Sequence, residues 1–484
     1  MTTMTGKQQA FLATFKGKNA AVLGIGRSNV PVIKFLVQAG AKVAACDAKP
    51  EKDLGAEYRE VSSLPVDFRF GPGYLEGLEK FDMIFPTPGM PLDLPELVKA
   101  REHGAWQSNE VGLFLALCEA PVVGITGSDG KTTTTTLVSE VLKAAGRKVF
   151  TGGNIGNPLL SEVFDITPDS LVVLELSSFQ LQPLDASPHI GAILNLSANH
   201  LDHHRSMEEY AEAKANIFRH QGSGDFVVLN FDNPWTRTMG DECPGGRVFF
   251  TRTREMPGGV FVRGNDIVSD LRGQAEVACS RGDIRIPGEH NVENVLAVTA
   301  IAALCDVDFA TLREVLRAFT GVAHRIEFVA EVGGVRFYDD SIATTPSRAV
   351  AGIRSFTEPV VVIAGGSDKN VPFDEFAEVA VNRAKAVVLV GETAPKIQAA
   401  IEEAQARQAK TLRVVVAQDF EEAVRLAVRE AAPGDVVLLS PACASFDMFR
   451  DYKERGDKFK AIVRAMRGKN ATVGGVLQDG CNYH

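Results

Sequence analysis

The sequence lacks the features of a secreted, membrane-spanning or nucleic-acid-binding protein. Its seven cysteines, among 484 residues, show no CxxC spacing, so they predict neither a disulfide framework nor a zinc knuckle. No apolar run approaches the roughly 20 residues of a membrane span, and the first residues lack the long apolar core of a secretory signal. The formal net charge of −10 argues against a basic nucleic-acid-binding face. We therefore expect a cytoplasmic protein that binds neither membrane nor nucleic acid.

The stretch VVGITGSDGKTTTTTLVSEVLK, residues 122–143, has the pattern of a phosphate-binding loop. A short apolar strand ends in a glycine-rich loop, which a lysine, a threonine and an amphipathic helix follow. Backbone N–H groups of such a loop cradle phosphate oxygens, while the lysine adds positive charge and the threonine is able to ligate Mg²⁺. An ordinary glycine-rich turn is the alternative. The pattern predicts a nucleoside triphosphate site at Gly127, Ser128, Asp129, Gly130, Lys131, Thr132 and Thr133.

The first hundred residues begin with a strand, a glycine turn, a helix and a second strand, the start of a Rossmann-like unit. The turn lacks the third glycine of the dinucleotide fingerprint, and Asp47 follows about twenty residues on, where an acid commonly meets a ribose hydroxyl. A dinucleotide and another nucleotide, such as a uridine nucleotide, both remain open as ligands. The candidate binding residues are Gly26, Arg27, Ser28 and Asp47.

Apolar strands alternate with helices along the whole chain, which predicts an α/β protein with mainly parallel sheets. The length suggests about three domains. We expect an N-terminal Rossmann-like domain over 1–110, a central phosphate-loop ATPase domain over 111–321, and a C-terminal Rossmann-like domain over 322–484.

Polar side chains stand where strands of the central region end. Glu175 ends the strand LVVLEL, and a carboxylate there is able to hold the Mg²⁺ that bridges two phosphates. A salt-bridged structural glutamate is the alternative. His200 directly follows another strand and is the one histidine of ANHLDHH that we expect to act. Lys214 lies on a helix with an apolar face, where a lysine usually extends its amine to solvent; a functional role is the other interpretation.

Further candidates lie near the passage from the second region to the third. Asn291 and Asn294 stand at a helix start and are suited to hydrogen bonds with a base or ribose. Arg325 and Asp340 fall at the passage itself, and an arginine there is able to clamp charge that develops on a phosphate. Ser445 ends a strand in the segment SPACASFD and offers a hydroxyl group.

Nine segments occur together in one order: GSDGKTTT, GGNIG, LELSSFQL, NHLD, YAEAKANIF, HNVENVLA, HRIE, DDS and LSPACASFD. This set resembles the Mur ligases, and within that family the type that joins D-glutamate to UDP-N-acetylmuramoyl-L-alanine. The resemblance covers nearly the whole chain. It implies an N-terminal domain for the UDP-substrate, a central ATPase domain and a C-terminal domain for the amino acid, with ATP and Mg²⁺ as cofactors. It also favours UDP over a dinucleotide at the first glycine turn.

The resemblance further implies roles for single residues. Lys131 and Thr132 are expected to contact phosphate and Mg²⁺, and Glu175 and His200 to ligate metal ions. Lys214 is expected to be carbamoylated, with the added carboxylate helping to position a second Mg²⁺. The other implied contacts are those of Asn154 with the UDP-substrate, of Asn294, Arg325 and Asp340 with the nucleotide, and of Ser445 and Tyr452 with the glutamate.

One position departs from the family pattern. Ile342 replaces the lysine of the common motif D-S-K, so a lysine expected to meet a glutamate carboxylate is missing. Arg348, one or two helical turns later, is one candidate for the missing charge. The alternative is an exposed Arg348, with Thr344, Ser445 and backbone amides holding the substrate. The departure leaves open whether the incoming amino acid is D- or L-glutamate.

The implied reaction is ATP-dependent amide synthesis through an acyl phosphate, by a cytoplasmic enzyme that we expect to be a monomer. Two other classes remain. A folylpolyglutamate-type ligase shares the ATPase chemistry, but it is expected to lack LELSSFQL and the first glycine-turn domain. A non-catalytic nucleotide switch needs the phosphate loop, but it does not need Asn154, His200 and Lys214 together.

Overall fold

A computed structural model describes residues 4–156, 158–197, 204–369 and 371–472. The chain divides into two compact units, Met1–Ile284 with His290–Arg317 and Arg285–Glu289 with Ala318–His484. Among the described residues, the first unit holds two sheets and the second holds one. Within the described ranges no helix is both long and apolar enough to cross a membrane. The domain boundaries given above stay predictions.

The first sheet of the first unit has five strands, all parallel. Its elements are α1 (Gly6–Ala13), β1 (Asn19–Leu23), α2 (Asn29–Gln38), β2 (Lys42–Asp47), α3 (Ala56–Arg59), β3 (Val66–Phe70), β4 (Met83–Pro86), α4 (Pro95–Glu102), β5 (Trp106–Gln107) and α5 (Glu110–Leu117). The strand order is β3-β2-β1-β4-β5, so it reverses between β1 and β4. Val22 packs on one face and Leu23 on the other, because successive side chains of a strand point to opposite faces.

The second sheet of the first unit has nine strands and is mainly parallel, as the sequence predicted. Its elements are β6 (Val122–Thr126), α6 (Lys131–Ala144), β7 (Val149–Gly153), β8 (Leu171–Glu175), α7 (Ser178–Leu181), β9 (Ile190–Ile193), α8 (Met207–Ala215), β10 (Phe226–Asn230), α9 (Pro234–Met239), β11 (Gly246–Thr251), β12 (Val260–Arg263), β13 (Asp266–Ser269), β14 (Glu276–Ser280), α10 (Glu289–Leu304) and α11 (Phe309–Ala318). The order is β14-β13-β12-β11-β10-β9-β6-β8-β7, with antiparallel pairing from β12 to β14.

The apolar core of the first unit is continuous between its two sheets. One cluster contains Val22 and Phe85 of the first sheet together with Val122 and Leu174 of the second. Every residue of β6 is buried, as expected for a central parallel strand that is covered on both faces. The first unit is therefore held together by burial of apolar surface that both sheets share.

The sheet of the second unit has six strands, with the order β15-β16-β20-β17-β18-β19. Its elements are β15 (Glu327–Val332), β16 (Val335–Asp339), α12 (Pro346–Arg354), β17 (Val360–Ala364), α13 (Asp374–Arg383), β18 (Ala384–Leu389), α14 (Ala394–Gln408), β19 (Arg413–Val416), α15 (Phe420–Glu430), β20 (Val436–Leu439) and α16 (Tyr452–Thr472). The pairing is parallel except between β15 and β16. Val362 and Ile363 pack into different clusters, so both faces of the sheet are covered.

Neighbouring strands bring the functional segments together. The loops after β6, β7 and β8 lie side by side in the first unit, and the loops after β16, β17 and β20 do so in the second. Parallel sheets bind ligands at the carboxyl ends of their strands. Each unit therefore gathers polar residues from distant parts of the sequence at one sheet edge.

Candidate active site

The glycine-rich loop joins β6 to α6, as the sequence predicted. Gly127 and Gly130 have φ angles of +155° and +81°, a region that residues with side chains rarely adopt. A Cβ atom on Gly130 would lie 2.2 Å from Asn294 Oδ1, so glycine is required for this close approach. The Asp129 N–H donates to Asn195 Oδ1 at 2.9 Å, which ties the loop to the segment after β9. This hydrogen bond holds the loop against the segment that follows β9.

Lys131 begins α6 and folds back over the loop. Its ammonium donates to the carbonyl oxygens of Gly127 and Ser128, both at 2.8 Å. Thr132 and Thr133 follow, half-buried, in the first turn of the 14-residue helix. The partial positive charge of a helix N-terminus and the ammonium both favour an anion at this place.

Glu175, which is buried at the end of β8, is hydrogen-bonded to Asn154, an exposed residue directly after β7. The Asn154 Nδ2 group donates to Glu175 Oε1 at 2.7 Å, and the Asn154 N–H donates to the Glu175 carbonyl at 2.8 Å. The second carboxylate oxygen, Glu175 Oε2, is buried and has no hydrogen-bond partner among the residues that the structure describes. A buried oxygen without a partner is costly, whereas a divalent cation would satisfy it. The carboxylate therefore fits the role of a metal ligand.

Lys214 lies on α8 with its side chain buried, so the interpretation as a solvent-seeking lysine is wrong. Its Nζ donates to Thr126 Oγ1 at 3.0 Å and to the Gly127 carbonyl at 3.1 Å. The same atom lies 4.7 Å from the centre of the Tyr210 ring. The amine therefore reaches the phosphate loop itself.

Burial and two charged neighbours shift the pKa of Lys214. Burial holds the pKa of Lys214 well below its usual value, and the nearby Lys131 lowers it further, while Glu175 raises it. Lys214 thus lies near a second lysine and a carboxylate, at the place where the phosphates of a nucleotide are expected.

Asn294 lies on α10 and faces the phosphate loop at Gly130. Its Nδ2 group donates to Asn291 Oδ1 at 2.9 Å, so both asparagines of HNVEN lie in one hydrogen-bonded pair. His200, which we expected to ligate a metal ion, lies outside the described residues, as do all of residues 198–203. Its role stays a prediction.

A cavity of about 460 Å³ opens at the carboxyl ends of β1, β2 and β4 in the first sheet. Gly26 and Asp47 line this cavity, and Arg27 and Ser28 lie in the adjoining turn before α2. Asp47 Oδ2 accepts the N–H of Ile25 at 2.8 Å, which closes the turn. The cavity lies where the strand order reverses, the usual place for a nucleotide in such sheets.

Arg325 and Asp340 lie in the second unit, where Arg325 is near enough to lower the pKa of Asp340. Asp340 is buried and accepts hydrogen bonds from Ser440 Oγ at 2.8 Å and from the Ile326 N–H at 3.3 Å. Burial outweighs these contacts and raises the pKa of Asp340 to about 7. Ile326 has a φ of +45°, which costs a β-branched residue on the order of 1–3 kcal/mol. Such strain is typical of functional segments.

The predicted glutamate contacts lie around the end of β20. Ser445 is buried after this strand. Tyr452 begins α16, its ring packs edge-on against His324 at 6.0 Å, and its carbonyl accepts the Ser341 hydroxyl at 2.7 Å. Arg348 is exposed on α12. The contacts of these three residues with glutamate stay predictions.

The sequence analysis missed Lys369. Its Nζ lies 3.3 Å from Thr344 Oγ1, although the two residues follow different strands, β17 and β16. The Ser367 N–H donates to the Ala444 carbonyl at 3.0 Å, which brings the Lys369 loop beside Ser445. The segment VVVIAGGSDK could have indicated this lysine, because an apolar strand there ends in glycines and charged residues.

A second residue that the sequence analysis missed is Arg455, a buried guanidinium on α16. It donates to the hydroxyl and carbonyl oxygens of Ser341, both at 2.9 Å, and to the carbonyl oxygens of Ala444 at 3.1 Å and Cys443 at 3.2 Å. Burial lowers its pKa to about 10, so it stays charged at neutral pH. Arg455 therefore joins the loop after β16 to the loop after β20.

Known proteins are similar to this chain along most of its length. Family models match three successive parts: the Mur ligase MurD-like N-terminal domain over 18–106, the Mur ligase middle domain over 125–302, and the Mur ligase glutamate ligase domain over 324–443. The predicted fold class, three α/β domains with mainly parallel sheets, is thereby confirmed.

Two relatives are similar over nearly their entire length. The UDP-N-acetylmuramoylalanine–D-glutamate ligase of Symbiobacterium thermophilum is 49% identical over 452 residues, which cover 93% of this chain and 98% of the relative. The ligase of the same name from Acetivibrio thermocellus is 46% identical over 466 residues, which cover 96% and 100%. The structure of the UDP-N-acetylmuramate-alanine ligase MurC from Thermotoga maritima shares the fold, with a TM-score of 0.53 at 21% identity over 93% of this chain and 99% of that one. The chain belongs to the Mur ligase family, in the group of the UDP-N-acetylmuramoylalanine–D-glutamate ligases.

Proposed function

We propose that the chain is an ATP-dependent ligase that adds D-glutamate to UDP-N-acetylmuramoyl-L-alanine in peptidoglycan precursor synthesis. The observation that carries the proposal is the identity of 49% and 46% with two ligases of that name, along nearly the full length of every chain compared. A shared ATPase domain alone would be equally compatible with a folylpolyglutamate-type ligase or a nucleotide switch. Likeness across all three domains favours the complete ligase reaction.

The phosphate loop is suited to the first half of this reaction. The carboxylate of the substrate's alanine attacks the γ-phosphorus of ATP, the bond to ADP breaks, and an acyl phosphate forms. Carboxylate and triphosphate repel each other, so positive charge is needed beside the transferring group. Lys131 supplies that charge, and the N-terminus of α6 adds partial positive charge beside it.

Mg²⁺ fits the same edge of the sheet, since Glu175 Oε2 is buried without a protein partner among the described residues. Thr132, Glu175, His200 and a carbamoylated Lys214 would hold it. When bound, Mg²⁺ screens the negative charge of the triphosphate.

Carbamoylation suits the position of Lys214. An ammonium buried beside the phosphate loop would repel a metal cation, whereas carbamate oxygens are good ligands for Mg²⁺. The neutral amine attacks the carbon of CO₂, an N–C bond forms, and a proton leaves. The side chain thereby changes from a cation to an anion.

The UDP part of the substrate is assigned to the cavity of the first sheet, with Asp47 and Gly26 at its wall. A ribose or phosphate bound there meets the backbone of the first glycine turn. Asn154 is assigned to the sugar-peptide end of the substrate, because it lies beside Glu175 at the next sheet.

Glutamate enters at the second unit. Lys369, Thr344 and Ser445 lie on loops that converge there, and the exposed Arg348 is a further candidate cation. The neutral amine of glutamate attacks the carbonyl carbon of the acyl phosphate and a tetrahedral intermediate forms. The nitrogen loses a proton, the C–O bond to phosphate breaks, and phosphate leaves as the amide is completed. We assign the reaction to the cytoplasm, and we propose that the enzyme is a monomer.

Phosphate release tests the proposal directly. The purified chain is incubated with ATP, Mg²⁺, UDP-N-acetylmuramoyl-L-alanine and one amino acid from a panel of D-glutamate, L-glutamate, D-aspartate and L-alanine. Release is expected only with D-glutamate, with a product whose mass equals that of the amide. Release with L-glutamate instead would refute the assigned stereochemistry. Release without any amino acid or UDP-substrate would favour a nucleotide switch.

A further inference from the structure

Three consecutive buried residues, Ser108, Asn109 and Glu110, link the first sheet of the first unit to the second. They follow β5 and lead into α5. The Ser108 N–H donates to the carbonyl of Ile84 in β4 at 3.1 Å, which anchors the segment to the sheet that carries the cavity. Each of the next two residues binds a different loop of the second sheet.

Asn109 binds the segment that follows Glu175. Its Oδ1 accepts the N–H of Gly112 at 3.0 Å and caps α5, while its Nδ2 group donates to the carbonyl of Gln180 at 2.7 Å. Gln180 lies in α7, the short helix that begins shortly after β8. The side chain of Asn109 thus joins the start of α5 to α7.

Glu110 binds the segment that follows Asn154. Its Oε1 accepts the N–H of Leu160 at 2.9 Å, in the connection between β7 and β8. Burial raises the pKa of Glu110 to about 7, although the N–H groups of Leu160 and Leu159 oppose that rise. Burying a carboxyl group costs desolvation free energy, which two N–H groups offset only in part. Its use here favours a role in fixing the loop over a role in stability alone.

The two loops meet at the candidate metal site. Asn154 and Glu175 are joined by two hydrogen bonds, at 2.7 and 2.8 Å. Asn109 therefore holds the loop on the Glu175 side, and Glu110 holds the loop on the Asn154 side. The hydrogen bond of Ser108 fixes Asn109 and Glu110 relative to the sheet that carries the cavity.

We propose that Asn109 and Glu110 are positioning residues, which set Asn154 and Glu175 relative to the cavity of the first sheet and so align the alanyl carboxylate with the γ-phosphate. The proposal rests on the proposed function, because it assigns the cavity to the UDP-substrate. Alignment of two reacting groups contributes strongly to rate, and a misplacement of about 1 Å costs on the order of a hundredfold. Substitution of either residue is therefore expected to lower kcat more than it lowers the stability of the fold.

The test compares Glu110→Ala with Glu110→Gln and Glu110→Asp in the full chain, by phosphate release and by thermal unfolding. We expect Glu110→Ala to lower kcat by at least about tenfold and to raise the KM for the UDP-substrate, with the KM for ATP unchanged. Glu110→Gln keeps an acceptor oxygen and is expected to restore kcat to within about threefold. Glu110→Asp keeps the carboxyl group but moves its oxygen away from the Leu160 N–H. It is therefore expected to lower kcat even if Glu110→Ala fails to fold.

Gln8→Ala is the matched control. Gln8 is also buried, and its Nε2 group donates to the carbonyl of Leu117 at 3.1 Å, at the other end of α5. It is expected to lower the melting temperature without lowering kcat. The proposal is overturned if Glu110→Asp turns over like the wild type, or if Glu110→Gln is no better than Glu110→Ala. Absence of D-glutamate-dependent phosphate release in the wild type would instead refute the proposed function.

Discussion

A bound glutamate carboxylate needs a positive partner, and Lys369 lies where one is expected. Its ammonium is 3.3 Å from Thr344 Oγ1, at the edge where the loops after β16, β17 and β20 converge. Lys369→Ala removes one charge-assisted hydrogen bond, which contributes about 1.5–3 kcal/mol in proteins. Because Lys369 is exposed and screened by water, the lower half of that range applies. The KM for D-glutamate is therefore expected to rise about 10- to 40-fold.

The assay is phosphate release at saturating ATP and UDP-substrate, with D-glutamate varied. The KM values for ATP and for the UDP-substrate are expected to change little, since Lys369 is assigned to neither. Lys410→Ala is the control, because Lys410 is an exposed lysine of the same unit that follows α14. An unchanged KM for D-glutamate in a folded Lys369→Ala variant would refute the reasoning.

Arg348 is tested in the same experiment, because glutamate carries two carboxylates. Arg348 Nη1 lies 3.5 Å from the Ile342 carbonyl, too far for a strong hydrogen bond, so the guanidinium is available to a ligand. Arg348→Ala is expected to raise the KM for D-glutamate about tenfold or more. If Lys369 and Arg348 hold different carboxylates, the two effects multiply in the double variant; if they share one, the double variant is little worse than the poorer single variant.

Lys131→Ala is expected to abolish phosphate release in a folded protein, because it removes the charge beside the transferring phosphoryl group, whereas Lys143→Ala on the same helix is expected to remain active. Near-normal turnover of a folded Lys131→Ala variant would refute the assignment of Lys131 to the phosphate site. Lys214→Ala is expected to be nearly inactive and to regain part of its activity with a short carboxylic acid, whose oxygens replace those of the carbamate; full activity without added acid removes Lys214 from the site. Burial raises the pKa of Asp340 from 3.8 to about 7, so its neutral form contributes stability that is complete below pH 3.8 and is lost as pH rises through 7. Chemical denaturation at pH 4 and pH 8 measures the free energy of unfolding. Between these pH values the wild type is expected to lose on the order of 4 kcal/mol of this free energy relative to Asp340→Asn. A difference between the two proteins that does not change with pH would contradict the raised pKa.

The contiguous features of this protein were predictable from the sequence. The strand, glycine loop and helix over 122–143 lie within one short segment, and their pattern depends on local geometry alone. Alternation of apolar strands with helices likewise predicted the mainly parallel sheets, because both faces of such a sheet are buried. Asp47 at the end of β2 and Glu175 at the end of β8 also fall where the pattern placed them.

The tertiary structure decided which residues meet at each sheet edge. Lys214 turns its amine into the phosphate loop, although its helix pattern alone favoured solvent. Lys369 reaches Thr344 only because β17 and β16 both flank β20, an order that cannot be read from spacing along the chain. The same holds for the hydrogen bond of Glu110 with Leu160, across fifty positions. Sequence periodicity determines which face of an element is buried, whereas sheet order and long-range packing determine which loop ends lie within hydrogen-bonding distance.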